Sequence, residues 1–245
     1  MSVRLSDPRP EAAELQTEGP TPARVWGDQW LRVSEKVIKG LNHQLTNRVA
    51  SLEAVVTLLD DPDEAPDQQL LSSLAQEVKR LHHLLVLYRL VPAEPFVTTE
   101  PVLLQDVIAQ VMDLHLHHAD LRGIPVELDR GGDTDPVLVR PSALLRSLLV
   151  LFESAAGNAL RSGRQDAIHV AYGGDGDEVF VTFEAACPAG QLLFTGEGSL
   201  VHAANSALAH AAGRASVELR HTPDGDRIHY LVMLPTLAAA RRAGR

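Results

Sequence analysis

Ile38, Leu45, Leu52 and Leu59 recur every seven residues, with Leu41 and Val55 forming a second row beside them. Apolar residues at that period keep one stripe of a helix turned toward a partner helix, so a long helix with a coiled-coil-like seam is expected. The segment Asp60-Asp-Pro-Asp-Glu-Ala-Pro66 ends it, because a proline inside a helix removes a hydrogen bond and clashes with the preceding turn. A second run follows: Leu74, Leu81 and Tyr88, flanked by Leu71, Val78 and Leu85. Two helices joined by a short loop make an antiparallel hairpin. One hairpin buries a single seam, so pairing with a second copy as a four-helix bundle is expected, giving a homodimer.

Aromatic residues are only 4 % of the chain while apolar residues reach 45 %, so Leu, Val and Ala must fill the core. The formal charge of −10 removes the general attraction for phosphate backbones, and nucleic acid is not an expected partner. The lone Cys187 has no internal partner for a disulfide, and the Cys and His residues have no zinc-like spacing. The first residues carry Asp, Glu and Pro where a signal peptide would need a basic and then an apolar stretch. The apolar stretches are interrupted short of the roughly 20 residues of a membrane span, so a cytoplasmic protein without a membrane segment is expected.

Residues 1–27, rich in Pro, Glu and Thr without periodicity, are expected to be a disordered tail. The hairpin occupies 28–91, and Val91-Pro-Ala-Glu-Pro95 reads as a linker. After it the texture is mixed. An amphipathic helix is expected over 102–121 and a strand over Ile124–Leu128. A short strand near Val137–Val139 leads to a helix over 141–162. Two strands flank Gly173-Gly-Asp-Gly176, and a small-residue helix runs from Ser199 to Ala212, stopped by Gly213. Strands over Ala215–Leu219 and Ile228–Val232 flank the turn Pro223-Asp-Gly225. Residues 100–236 thus read as an α/β sandwich with helices on one face of a mixed sheet, making the whole chain α+β. Residues 237–245 are a tail with a frayed helix.

A histidine-bearing helical hairpin followed by a small α/β domain resembles the histidine kinase core. Asn42-His-Gln-Leu-Thr-Asn47 is similar to the phosphoacceptor box of that family. Glu100–Val107 with Arg122–Glu127 resembles the entry to its ATPase domain, and Gly196–Leu200 with His210–Glu218 its last glycine box and the strand beyond. The resemblance covers about residues 30–236.

His43 is the expected phosphoacceptor. With Ile38 at heptad position a, His43 falls at f, away from the seam, where a phosphoryl group can approach a ring nitrogen in line. In active kinases of the family a carboxylate commonly follows the histidine. Here Gln44 follows, an amide that can orient the ring and cannot act as a base. Asn47, one turn on, occupies the position at which the family orients water, and Arg48 is suited to phosphate oxygens or an acidic partner.

The family binds Mg²⁺ and phosphates through two asparagines four apart. Asn158 matches the second, leaving Ser154 or, in a shifted register, Leu151 at the first. The adenine-binding Asp-x-Gly-x-Gly element coincides with Phe183–Gly190, which has neither the aspartate nor the first glycine. The lid, Pro188 to Thr195, is short, and of the later glycines Gly196 and Gly198 remain as vestigial cofactor-binding candidates. The domain is expected to hold no nucleotide.

His115, His117 and His118 have no evident acidic or Cys partner and read as surface histidines, so no metal site is expected. Only His115 and His118 are spaced to share one. His82 and His83 are alternative phosphoacceptors without a surrounding box. These readings combine into a histidine phosphotransferase that passes a phosphoryl group between response-regulator receiver domains, with Mg²⁺ supplied by the receiver. The rivals are an active soluble histidine kinase that uses ATP and a non-catalytic dimeric adaptor.

Overall fold

The structure, a computed structural model, describes residues 21–59, 68–92, 98–164, 166–188, 195–212, 215–221 and 226–243. Two helices, α1 (Pro22–Leu59) and α2 (Gln68–Leu90), form the expected hairpin. α1 begins at Pro22, so residues 22–27, expected to belong to a disordered tail, are helical. A proline is tolerated in a first turn, where its missing N–H has no helical acceptor. The Thr21 carbonyl accepts the Arg24 and Val25 amides, and Trp26 and Trp30 pack against the core. The expected breaker at 60–66, the linker residues 93–95 and the tail residues 1–20 lie outside the described residues.

The α/β part comprises β1 (Glu100–Val102), α3 (Leu104–His115), β2 (Val126–Arg130), β3 (Val137–Val139), α4 (Pro141–Ser162), β4 (Ile168–Asp175), β5 (Glu178–Ala186), α5 (Thr195–Ala212), β6 (Ser216–His221), β7 (Arg227–Pro235) and α6 (Leu237–Ala243). Five strands form one mixed sheet in the order β2-β4-β5-β7-β6, parallel only between β2 and β4. β1 and β3 make a separate two-stranded antiparallel ribbon. Strand residues alternate: Ile168 and Val170, Val179, Val181 and Phe183, and Ile228, Tyr230 and Val232 are buried on the face toward the helices. The order of hairpin and sandwich is the one the histidine kinase resemblance implies.

Several boundaries differ from the sequence reading. α3 ends at His115 instead of running to 121, because His118 Nδ1 accepts the Asp120 and Leu121 amides and bends the chain into a turn. The β4–β5 strands run through Gly173 and Gly174, and the reversal falls at Gly176, whose φ of 61° suits a residue without a Cβ. The expected stop at Gly213 and the turn at 223–225 lie outside the described residues.

α4 is long and apolar enough to cross a membrane by length and composition alone, although Arg146 and Glu153 interrupt its apolar residues. Its window is 72 % buried, and it serves as the central helix of the core. A proline at its start and Gly163 in the left-handed conformation at its end cap it at both ends.

The hairpin is not a separate body. Val33, Val37 and Leu41 of α1 and Leu84 and Leu87 of α2 belong to the same buried cluster as α3, α4 and the sheet. Polar contacts reinforce the junction. The Arg146 guanidinium of α4 lies over the Trp30 ring at 5.0 Å, and Lys36 Nζ meets Asp120 Oδ2 at 2.6 Å.

Candidate functional site

His43 lies on α1 and is exposed, as its heptad position predicts. Residues four apart on a helix are neighbours, and the Asn47 side-chain amide nitrogen sits 3.3 Å from His43 Nε2. With the amide donating, Nε2 is the acceptor and the ring proton resides on Nδ1. The ring is thereby oriented with a lone pair on the nitrogen that faces Asn47. Thr46 and Ser51 donate their hydroxyls to the backbone carbonyls of Asn42 and Asn47 in α1.

Gln44 and Arg48 lie round the helix from His43, toward α2, and both are half-buried. Arg48 is more engaged than the sequence suggested. Its Nη1 donates to both Glu77 carboxylate oxygens, at 3.2 and 3.1 Å. Arg80 reaches the same carboxylate at 2.6 Å. Burial works to raise the Glu77 pKa, and the hydrogen bonds and charges of Arg80 and Arg48 outweigh it, holding the carboxyl below its ordinary value. Glu77 was not legible as a site residue; the only local signal was its spacing of three from Arg80. His82 and His83 are exposed on α2, and His83 Nε2 faces Asp113 Oδ2 at 3.6 Å.

The residues matched to a nucleotide site are occupied by the fold. Asn158 is buried, its amide donates to the Ser154 carbonyl at 3.0 Å, and its Oδ1 accepts from Arg161 at 2.8 Å. The Ser154 hydroxyl is paired with the Tyr230 hydroxyl at 2.9 Å. Leu151 is fully buried in the core. Gly196 and Gly198 fall within the opening turns of α5 rather than in a loop before it. Residues 189–194, most of the expected lid, lie outside the described residues. A cavity of about 600 Å³ adjoins Ser154, Gly157 and Arg161, and α1 closes one side of it through Val33 and Lys36.

The reading of His115 and His118 as surface histidines without a partner is overturned. Both are buried, and Glu153 of α4 lies between them. The His115 Nδ1–H donates to Glu153 Oε1 at 3.0 Å, and the His115 ring meets Phe152 edge-on with centroids 4.7 Å apart. His118 Nε2 is 3.6 Å from Glu153 Oε2. Because Nδ1 of His118 accepts two backbone amides, its ring proton belongs on Nε2, and burial holds its pKa below the ordinary value. The partner is 38 residues from His115 in sequence, which hid it. The available signal was the one carboxylate of α4, set within the apolar run Leu148–Phe152 and Ala155–Ala156, which must find a donor when buried. Among the described residues no group of three or more His, Cys, Asp or Glu side chains is arranged to hold a metal ion.

No family model and no curated protein matches the chain. Solved structures do. The Acinetobacter baumannii histidine kinase AdeS aligns at a TM-score of 0.44 and 17 % identity, over 80 % of this chain and 98 % of its own. A histidine kinase from Burkholderia phymatum aligns at a TM-score of 0.44 and 17 % identity, over 78 % and 97 %. The mycobacterial sensor histidine kinase MprB aligns at 0.43 and 14 %, over 56 % and 97 %.

Proposed function

We propose that the protein is a histidine phosphotransferase that relays a phosphoryl group between receiver domains through His43. The observation that carries this reading is the Asn47–His43 pair, an exposed imidazole whose Nδ1–H tautomer is selected by the amide that donates to Nε2. In the first step, the Asn47 amide moves from the single in-plane lone pair of Nε2 to a phosphoryl oxygen, and the freed nitrogen attacks the phosphorus of an aspartyl phosphate on a receiver. The N–P bond forms, the acyl P–O bond breaks, the aspartate leaves as carboxylate, and the Nδ1 proton passes to solvent. In the second step, an aspartate of another receiver attacks the phosphorus. The N–P bond breaks, and the imidazole recovers a proton. Gln44 cannot accept a proton, and an acyl phosphate is a donor that needs no such base. The receiver supplies Mg²⁺, and the scheme needs no nucleotide.

The acting species in this proposal is a homodimer. Val49 and Val56 of α1 are exposed seven residues apart, as are Leu71, Val78 and Leu85 of α2. The Arg48–Glu77 pair sets Val49 and Val78 at the same level of the hairpin. Such a two-helix apolar face suits isologous pairing with a second copy.

The test is incubation of a radiolabelled phospho-receiver with wild type and with His43→Ala. Label should reach wild type and not the variant. Label in neither, with any receiver, would leave the adaptor reading, and label transferred from ATP to purified protein would make it a kinase.

A further inference from the structure

Nδ1 of His118 has one in-plane lone pair, and the Asp120 and Leu121 amides share it at 3.2 Å each. That forked contact closes the turn after α3. The same turn holds the hairpin. Asp120 Oδ2 meets Lys36 Nζ at 2.6 Å, and the His117 carbonyl lies against Gly40 of α1. One ring nitrogen thus fixes two of the contacts that join α1 to the α/β domain. The Lys36–Asp120 pair is partly exposed and would contribute little by itself, so it depends on where the turn places Asp120.

We propose that His118 is a proton-operated latch on the docking of α1, in which a proton added at Nδ1 opens the turn and frees α1 from it. The latch is independent of the phosphotransfer reading. Protonation turns the shared acceptor into a donor that faces two backbone donors, and no hydrogen bond among them survives. The amides then turn away, carrying Asp120 from Lys36 and His117 from Gly40. The groups around the ring set the pH at which this happens. Burial disfavours the imidazolium most, Glu153 of α4 and Asp120 favour it, and His115 of α3 and Lys36 of α1 oppose it. The balance holds the folded-state pKa below the ordinary 6.5. The closed turn is therefore fully favoured above that value and loses its advantage as pH falls through the folded one. Protons have a route, because His118 and Asp120 line the open cavity of about 600 Å³ beside Lys36. His117, whose pKa burial also lowers, faces His83 of α2, Asp113 and Arg122, and serves as the control.

The two tryptophans of the chain, Trp26 and Trp30, both lie on α1 against the core, and Arg146 of α4 covers the Trp30 ring. Their emission therefore reports the docking of α1. The test titrates the full chain from about pH 8 to about pH 5, recording emission wavelength and far-UV circular dichroism together. A red shift that begins below pH 6.5, with helix and strand content retained, is expected. His118→Asn keeps an acceptor for the two amides and removes the proton site, so its emission should stay at the alkaline value. His117→Asn should leave the transition in place. Amide exchange of wild type gives a reading that needs no variant. Corrected for the pH dependence of exchange itself, opening at Asp120 and Leu121 should rise by up to about tenfold per pH unit below the ordinary histidine value, ahead of the amides of β5 and β7. Constant emission across the titration would overturn the latch, as would emission and dichroism that change with one midpoint. So would a transition that survives in His118→Asn, or amides of Asp120 and Leu121 that open no more readily than those of β5.

Discussion

Gly40 of α1 and His117 of the α/β domain meet backbone to backbone. A Cβ built on Gly40 would lie 1.6 Å from the His117 carbonyl oxygen and 2.7 Å from its carbon. A glycine in mid-helix is unfavourable on its own, and here it permits a close backbone approach between the hairpin and the sandwich. The same turn carries His115 and His118 onto Glu153, and its Asp120 meets Lys36 of α1. One short segment therefore locks α1 to α4.

Gly40→Ala tests that lock. Helix propensity alone would reward alanine by about 1 kcal/mol. The clash is with a backbone carbonyl rather than a flexible side-chain end, and overpacking of this kind costs about 1–3 kcal/mol or more. The clash should win, with a fall in melting temperature of several degrees and faster amide exchange over 115–121. A rise in melting temperature would show that the two parts are not held together at this point.

Glu153 tests the buried cluster. Removing one member of a buried, hydrogen-bonded pair typically costs about 3–5 kcal/mol, while replacing both by apolar side chains can be close to neutral. Glu153→Ala should therefore destabilise strongly, and His115→Phe/Glu153→Leu should recover most of the loss. Denaturant unfolding measures both. Equal losses in the two variants would mean that the cavity, not the stranded polar group, sets the cost.

Acid should destabilise the fold in two separate windows. Burial lowers the pKa values of His117, His118 and His229 from the ordinary 6.5, so the folded state binds fewer protons than the unfolded chain. Their contribution is fully present above the unfolded value and is lost as pH falls through the folded values. Asp120, held low first by its bond to Lys36, and Glu77 lose theirs only in the carboxylate range. His118→Asn keeps a side-chain acceptor for the two backbone amides without the titration, so melting temperature should decline less between about pH 6.5 and 5 than in wild type.

The sequence made the local features legible and hid those that join distant elements. The seven-residue rows reveal both hairpin helices, and the spacing of His43 and Asn47 by one turn sets them side by side. The Arg48–Glu77 and His115–Glu153 contacts span 29 and 38 residues, and no local period encodes them. Gly40 was silent for a different reason: a glycine inside a heptad run breaks no pattern, and only the neighbour at its α-carbon gives it a role. Asn158 was matched to a nucleotide-binding asparagine by its place in a motif. Its hydrogen bonds within α4 depend on Ser154 and Arg161 around it.

The apolar rows predict the state of assembly. Leu71, Val78 and Leu85 are 48 %, 51 % and 44 % exposed, which leaves a continuous stripe along α2 open in a single chain. Val78 lies midway along it. Wild type should sediment as a dimer at micromolar concentration. Val78→Glu would place a charge in the centre of an apolar seam and should shift the protein to monomer without loss of helix content. A wild type that remains monomeric at high concentration would exclude the four-helix bundle.

Asn47 gives the most direct test of the chemistry. Its amide and the His43 ring are both exposed, so their bond adds little to stability and Asn47→Ala should melt as wild type does. Its effect should fall on transfer instead. Without the amide, the ring rotates freely, either nitrogen carries the proton, and the transferring phosphoryl group loses the donor that moves onto its oxygen as Nε2 is freed. A loss of about 1–1.5 kcal/mol in orientation corresponds to about a tenfold slower transfer from a phospho-receiver. Asn47→Gln, longer by one methylene, should restore only part of that rate, because its amide reaches past the ring when both stem from adjacent turns. Rapid-quench measurement of labelled His43 separates these cases, and an unchanged rate in Asn47→Ala would remove the pair from the mechanism while leaving His43 as the acceptor.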